Sequence, residues 1–268
     1  IILRLGGKLT LWRGLKKYEF FATETEIRGK QFNMVHVRDP DGETSAVGMT
    51  TEVGKNWKPW MAYREIRTNC TDEGGEFSSL EMFPEEGHTL IVVECQDIDL
   101  AHQEQDDYFV SGKPVCAMEQ ADAHRLRGDA PEYGIFYKGV KVGEWGRPAA
   151  FRWNIKDALP LTEDRIVSSV YHPEYAVRRA ICNSRDRDFI HAALTTNLES
   201  FESHINYRDI STASEEFLDV AEQIVKQKPL CYNITLRSML SKMRNLDPFE
   251  WVDPGVVEAK MLAKAERV

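Results

Sequence analysis

The hydrophobic pattern of this chain changes period along its length, and that change limits the folds open to it. Residues 8–50 run in short extended stretches such as Lys8-Leu-Thr-Leu-Trp12, Tyr18-Glu-Phe-Phe-Ala22 and Asn33-Met-Val-His-Val37. Such runs suit strands of an antiparallel or mixed sheet, and Asp39-Pro-Asp-Gly42 punctuates them with a turn. Beyond Leu161-Thr-Glu-Asp-Arg165 the pattern becomes helical, predicting helices over 173–183, 186–195, 214–227 and 235–244. Ser214-x-x-Phe217 and Asp247-Pro248 mark boundaries among them. Strands first and helices afterwards define an α+β chain. The change near 165 divides it into a sheet-bearing domain, 1–165, and a mostly helical region, 166–268.

Between these blocks the sequence predicts a helix over about 55–72, a strand at 89–95 and a short acidic helix through Leu100–Tyr108. A hairpin follows in Ile135-Phe-Tyr-Lys-Gly-Val-Lys-Val-Gly-Glu-Trp145, turning at Lys138-Gly139, and then a strand at Ala150–Ile155. The implied layer is a sheet with helices packed on one face. Val256–Arg267 reads as a short charged helix that docks on a partner or is marginal alone.

The 57–72 helix carries the most chemistry. In Trp57-Lys-Pro-Trp-Met-Ala-Tyr-Arg-Glu-Ile-Arg-Thr-Asn-Cys-Thr-Asp72, residues Glu65, Asn69 and Asp72 stand at i, i+4 and i+7 and share one face. Ala62, Tyr63, Ile66 and Cys70 form the neighbouring face, suited to burial against a sheet. A carboxylate, an amide and a second carboxylate on one face suit a divalent cation and a water nucleophile. Magnesium takes hard oxygen ligands, which makes the Asn69 amide oxygen a candidate ligand, and Glu65 is placed to take a proton from water. For these three residues alone the simpler reading is a solvated helix face, with Glu65 and Asp72 paired to Arg64 or Arg67.

Glu-x-x-x-Asn-x-x-Asp after an aromatic-rich lead-in resembles the N box of the Bergerat-fold ATPases, which include DNA gyrase B subunits, MutL proteins, heat-shock chaperones and histidine kinases. The resemblance implies that Glu65 is the general base in a hydrolysing member, that Asn69 binds magnesium and that Asp72 supports the nucleotide pocket. The wider order of Arg64-Glu-Ile-Arg-Thr-Asn-Cys-Thr-Asp-Glu-Gly-Gly75, Gly134-Ile-Phe-Tyr-Lys-Gly-Val-Lys-Val-Gly-Glu144 and Leu161-Thr-Glu-Asp-Arg165 is similar to bacteriophage proteins described as ATP-binding or rIIA-like. That similarity covers about residues 45 to 180. It implies a two-layer α/β sandwich, a mixed or antiparallel sheet with helices on one face, followed by a helical C-terminal region.

One superfamily motif, Asp-x-Gly-x-Gly on the strand after the N-box helix, is missing. There the Asp reads the adenine amino group and the glycines admit the nucleotide to the backbone. The positional counterpart is Thr89-Leu-Ile-Val-Val-Glu-Cys-Gln-Asp-Ile-Asp99, where Glu94, Asp97 and Asp99 are the candidates to hold the base. No glycine accompanies them. The loops Gly128–Gly134 and Ser111–Pro114 match neither a Walker A loop nor a dinucleotide fingerprint and read as ordinary turns.

Other classes of activity find less support. The net charge is −9, with acidic clusters at Asp72-Glu73, Glu85-Glu86 and Asp106-Asp107 and no basic stripe to follow a phosphate backbone, so direct nucleic-acid binding is not expected. Around Arg178-Arg179 and Arg185-x-Arg187, interleaved Asp186 and Asp188 make a solvated helical face. Cysteines at 70, 95, 116, 182 and 231 form no Cys-x-x-Cys and are odd in number, as expected of reduced thiols in the cytoplasm, which for a phage protein is that of the host. No apolar run approaches the roughly 20 residues of a membrane span. The start, Ile1–Gly7, has neither an initiator Met nor a signal-peptide pattern and is expected to lie inside a longer precursor or a partly ordered chain.

His88, His102, His124, His172, His191 and His204 fall at no recognised ligand spacing, and no Gly-x-Ser-x-Gly elbow is present. Trp57, Trp60, Trp145 and Trp153 suit core packing. The sequons at Asn69 and Asn233 are read as accidental. The leading expectation is therefore an ATP- and Mg2+-binding protein, with Glu65 as general base if ATP is hydrolysed. The competing one is a non-catalytic relative that serves as an interaction or assembly subunit, forming homo-oligomers or binding a protein partner through its C-terminal helices.

Overall fold

The computed structural model describes residues 1–227 and 233–244. The chain is α+β and divides into two compact units, Ile1–Tyr108 and Phe109–Val268. The expected shift from strands to helices near 165 falls inside the second unit. The expected 256–267 helix, the Asp247-Pro248 boundary and Cys231 lie outside the described residues.

The first unit is built on β1 (Lys8–Arg13), β2 (Lys16–Ile27), β3 (Lys30–Arg38), β4 (Thr44–Thr50) and β5 (Thr89–Glu94), in the order β4-β3-β2-β1-β5. Every neighbouring pair is antiparallel. The Asp39–Gly42 turn forms as its sequence dictates: Asp39 Oδ1 accepts from the backbone N–H groups of Asp41 at 3.0 Å and Glu43 at 2.8 Å. Cross-strand registers Leu9↔Phe20, Leu9↔Val93, Leu11↔Tyr18 and Leu11↔Ile91 gather these apolar side chains on one face.

Helix α1 (Pro59–Asp72) follows β4, and α2 (Gln96–Gln103) follows β5. Pro59 occupies the first helical turn, where its missing N–H costs nothing. The helix stops at a Schellman motif: Gly74 N–H donates to Thr71 O at 3.0 Å and Gly75 N–H to Cys70 O at 2.7 Å. Gly74 has φ 71°, which favours glycine. Glu73-Gly-Gly75 is thus the stop signal of α1. The acidic helix begins earlier than its sequence suggested. Asp97 and Asp99, which follow the expected 89–95 strand, occupy the first turn of α2, where carboxylates complement the helix dipole.

The second unit holds β6 (Cys116–Ala117), β7 (Ala121–His124), β8 (Glu132–Tyr137), β9 (Val140–Ala149) and β10 (Arg152–Ile155), ordered β6-β7-β10-β8-β9. β10 pairs parallel to β8 and antiparallel to β7, giving a mixed sheet. The β8–β9 hairpin turns at Lys138-Gly139 as expected, with φ 50° and 84°, the positive angles of a type I′ loop. Helices α3 (Tyr171–Asn183), α4 (Arg187–Leu194), α5 (Glu215–Gln227) and α6 (Ile234–Met243) complete it. Trp153, Ile155, Val177, Ile181, Phe217 and Leu240 belong to its hydrophobic core. Trp145 and Trp153 are both buried.

Candidate functional site

Three buried residues anchor α1. Tyr63 has no exposed surface, Ala62 3% and Arg64 1%. The face carrying Tyr63 and Arg67 meets α2: Tyr63 Oη lies 3.0 Å from His102 Nδ1, and Arg67 Nη1 donates to Gln105 Oε1 in the short helical turn that follows. Phe77 closes the cluster, its ring 5.6 Å from Tyr63 and 5.5 Å from His102. At 100° per residue, Glu65, Asn69 and Asp72 project roughly opposite Tyr63 and Arg67. They occupy a solvent-facing stripe extending ~10 Å along the axis. Asn69 and Asp72 are exposed, whereas Glu65 is half-buried.

Glu65 Oε1 accepts from Arg64 Nη2 at 3.0 Å. Adjacent helical residues do not share a face, but the long guanidinium reaches across while its carbon also lies 5.4 Å from the Trp60 ring. The Arg64–Glu65 pairing anticipated from the sequence is present, with its guanidinium buried rather than solvated.

Asp72 has an unfavourable electrostatic setting. It occupies the last turn of α1, where the partial negative charge of the helix C-terminus disfavours a carboxylate, and no basic residue stands in that turn. Glu73 follows as the C-cap and adds a second negative charge.

The candidates around β5 separate from this stripe. Glu94 is exposed at the strand end and pairs with Lys8 Nζ at 3.0 Å. Asp97 is half-buried and Asp99 exposed in α2. Since α1 turns its Tyr63–Arg67 face to α2, Asp97 and Asp99 are not brought onto the Glu65–Asn69–Asp72 face by that contact.

Among the described residues no group of three or more His, Cys, Asp or Glu side chains is placed to hold a metal ion. A magnesium ion on a nucleotide does not need one, because it takes one or two protein ligands beside phosphate oxygens and water. The exposed Asn69 amide and Asp72 carboxylate, one turn apart, fit that smaller requirement.

An open groove of about 460 Å³ belongs to the second unit, lined by residues 115–120 and 183–186. None of the sequence-predicted site residues lines it. Cys116 and Ser184 meet in it, Sγ to Oγ at 3.7 Å, and burial pushes the Cys116 thiol upward. No long-range pairing of that kind is readable from a sequence separation of 68 residues.

A scan of protein-family models, a search of curated proteins and a search of solved structures each find no match to this chain. No helix among the described residues is long and apolar enough to cross a membrane.

Proposed function

We propose that this is an ATP- and magnesium-binding protein of the Bergerat type, phage-encoded and similar to rIIA-like proteins, with its phosphate and metal contacts on α1. The observation that carries the reading is Asp72 with Asn69 on the open face of α1, a carboxylate set against the helix dipole with no basic residue in its turn. Functional sites retain local placements that folding alone disfavours, and a bound cation would relieve this one. Asn69 would hold the metal through its amide oxygen, with Asp72 supporting the nucleotide pocket. Bound magnesium would neutralise phosphate charge. Glu65, held by Arg64, would take a proton from water if ATP is hydrolysed. Titration calorimetry with a non-hydrolysable ATP analogue, with and without Mg2+, tests the reading. Magnesium-dependent binding lost in Asn69→Ala is expected; an Asn69→Ala protein that binds like wild type would sink the assignment.

A second reading, a non-catalytic interaction or assembly subunit, draws on a different observation. Leu80 is 79% exposed and Phe83 74% in the segment between α1 and β5, apolar surface that a partner could cover. The missing glycine motif favours it too. Stable oligomers or a co-purifying partner unaffected by Glu65→Ala would support this reading, while a monomer with ATP-dependent turnover would count against it.

A further inference from the structure

The groove of the second unit has two walls that the fold holds in place. On one side the turn 118–120 joins β6 to β7, and Gln120 O accepts from the backbone N–H groups of Lys156 at 2.9 Å and Asp157 at 3.2 Å. On the other, residues 183–186 lead from α3 into α4. Ser184 O accepts from Ser214 Oγ, and Asp186 Oδ1 accepts from Phe189 N–H at 3.0 Å as the cap of α4. A cavity fixed before its ligand arrives loses little freedom on binding. One atom of this groove lacks a partner. Gln120 is 2% exposed, and its Nε2 donates to Glu119 Oε2 at 3.1 Å, which sets the orientation of the amide. Its Oε1 is buried with no hydrogen-bond partner, the one buried side-chain nitrogen or oxygen of the lining so placed. A bare buried acceptor is costly, and a donor satisfies it.

The charge around that oxygen is negative. Glu119 and Asp186 both line the groove, against a single basic residue, the exposed Arg185. Burial, and behind it the carboxylates of Asp186 and Asp122, push the Cys116 thiol upward, and no basic group acts on it. Val115 and Met118 add apolar surface beside these polar groups. We propose that the groove binds a primary alkylammonium ion, which donates to Gln120 Oε1, sets its charge against Asp186 and Glu119, and lays its alkyl stem on Met118 and Val115. An ammonium group carries three donors and no acceptor, which matches a site offering an amide oxygen and two carboxylates. A neutral ligand of the same length forgoes the charge, and an anion is repelled. A volume of about 460 Å³ lies within the range of small-molecule sites. A free linear diamine and a lysine side chain both present this chemistry.

Titration calorimetry of the whole chain with diaminobutane and with Nα-acetyl-lysine amide, without nucleotide, tests the proposal. Salt at about 0.15 M screens loose attraction of amines to a surface of net charge −9. Saturable binding of at least one amine is expected, and the tighter of the two names the source. Butanediol, of the same length without the charge, should not bind. Gln120→Met removes the acceptor at similar volume and should weaken binding by about tenfold or more, as loss of a hydrogen bond to a charged group does. Asp186→Asn, which still caps α4, should weaken it too and serves alone if Gln120→Met fails to fold. Glu85→Gln, altering a carboxylate whose side chain is 76% exposed in the first unit, should leave it unchanged. Absence of saturable binding by either amine overturns the proposal, as does equal binding of butanediol. Binding that Gln120→Met and Asp186→Asn both leave intact also overturns it, because the amine then sits elsewhere on the acidic surface.

Discussion

Arg64, 1% exposed, donates through Nη2 to Glu65 Oε1 at 3.0 Å, so a guanidinium sealed inside the α1 packing fixes a carboxylate at the edge of solvent. Removing one partner of a buried pair leaves the other charge uncompensated, which typically costs about 3–5 kcal/mol. Glu65 retains some water contact, with 19% of its side chain exposed, so Arg64→Ala is expected to destabilise by about 2–4 kcal/mol. Glu65→Gln should cost less. A double-mutant cycle from urea denaturation should give a coupling of roughly 0.5–3 kcal/mol; additivity of the two changes would show that the pair does not act together.

Asp72 should behave in the opposite sense. Relieving its clash with the helix dipole, Asp72→Asn is expected to stabilise the nucleotide-free protein by about 0.3–1 kcal/mol while weakening magnesium-nucleotide binding. Thermal denaturation and calorimetry on the same variant read both effects. Destabilisation by Asp72→Asn would remove the electrostatic argument for a cation there.

Glu202 is a buried carboxylate on four hydrogen bonds. It accepts from Ala150 N–H at 3.0 and 2.9 Å, Phe151 N–H at 3.3 Å and Trp153 Nε1–H at 2.8 Å. Burial nevertheless outweighs these bonds and raises its pKa above the ordinary carboxylate value. The native state therefore binds this proton more tightly than the unfolded chain. The corresponding stability is complete below the unfolded-state pKa and is lost as pH rises through the native one. Glu202→Ala, which strands those donors, should cost about 2–4 kcal/mol. Comparing midpoints across pH, the wild type should lose stability between the unfolded-state and native pKa values in a way the variant does not.

Thiol reactivity should follow burial. Cys95, Cys116 and Cys182 are buried, and burial pushes the Cys182 thiol far upward, whereas Cys70 is half-exposed. Maleimide labelling of the native protein, read by peptide mass spectrometry, should modify Cys70 ahead of those three. Faster labelling at Cys182 would contradict the packing of α3.

Much of this architecture is legible from residue patterns. The Lys138-Gly139 hairpin and the Asp39–Gly42 turn follow from local chemistry that no distant contact overrides. Ser214 marks the start of α5 as read, its Oγ accepting from Phe217 N–H at 3.0 Å. The α1 faces sort only in part as expected: Ala62 and Tyr63 are buried, but Ile66 and Cys70 are half-buried, and Arg64, expected on a solvated face, is sealed in. Gln96–Asp99 was less readable, because an apolar strand runs directly into it. Ile98 and Ala101, buried three residues apart in α2, are the helical signal that starting the helix at Leu100 passes over. Glu202 was beyond local reasoning, since its donors lie about fifty residues away in sequence and a lone carboxylate gives no sign of burial. The pairing of Glu65 with its neighbour Arg64 was one the sequence offered, but the burial of Arg64 was not legible there.

The central claim concerns where a nucleotide binds, and backbone amide chemical-shift mapping with a non-hydrolysable ATP analogue and Mg2+ addresses it most directly. Shifts centred on Glu65, Asn69 and Asp72, requiring magnesium and absent in Asn69→Ala, are predicted. No shifts, or shifts confined to the groove formed by residues 115–120 and 183–186, would contradict the assignment of the site to α1.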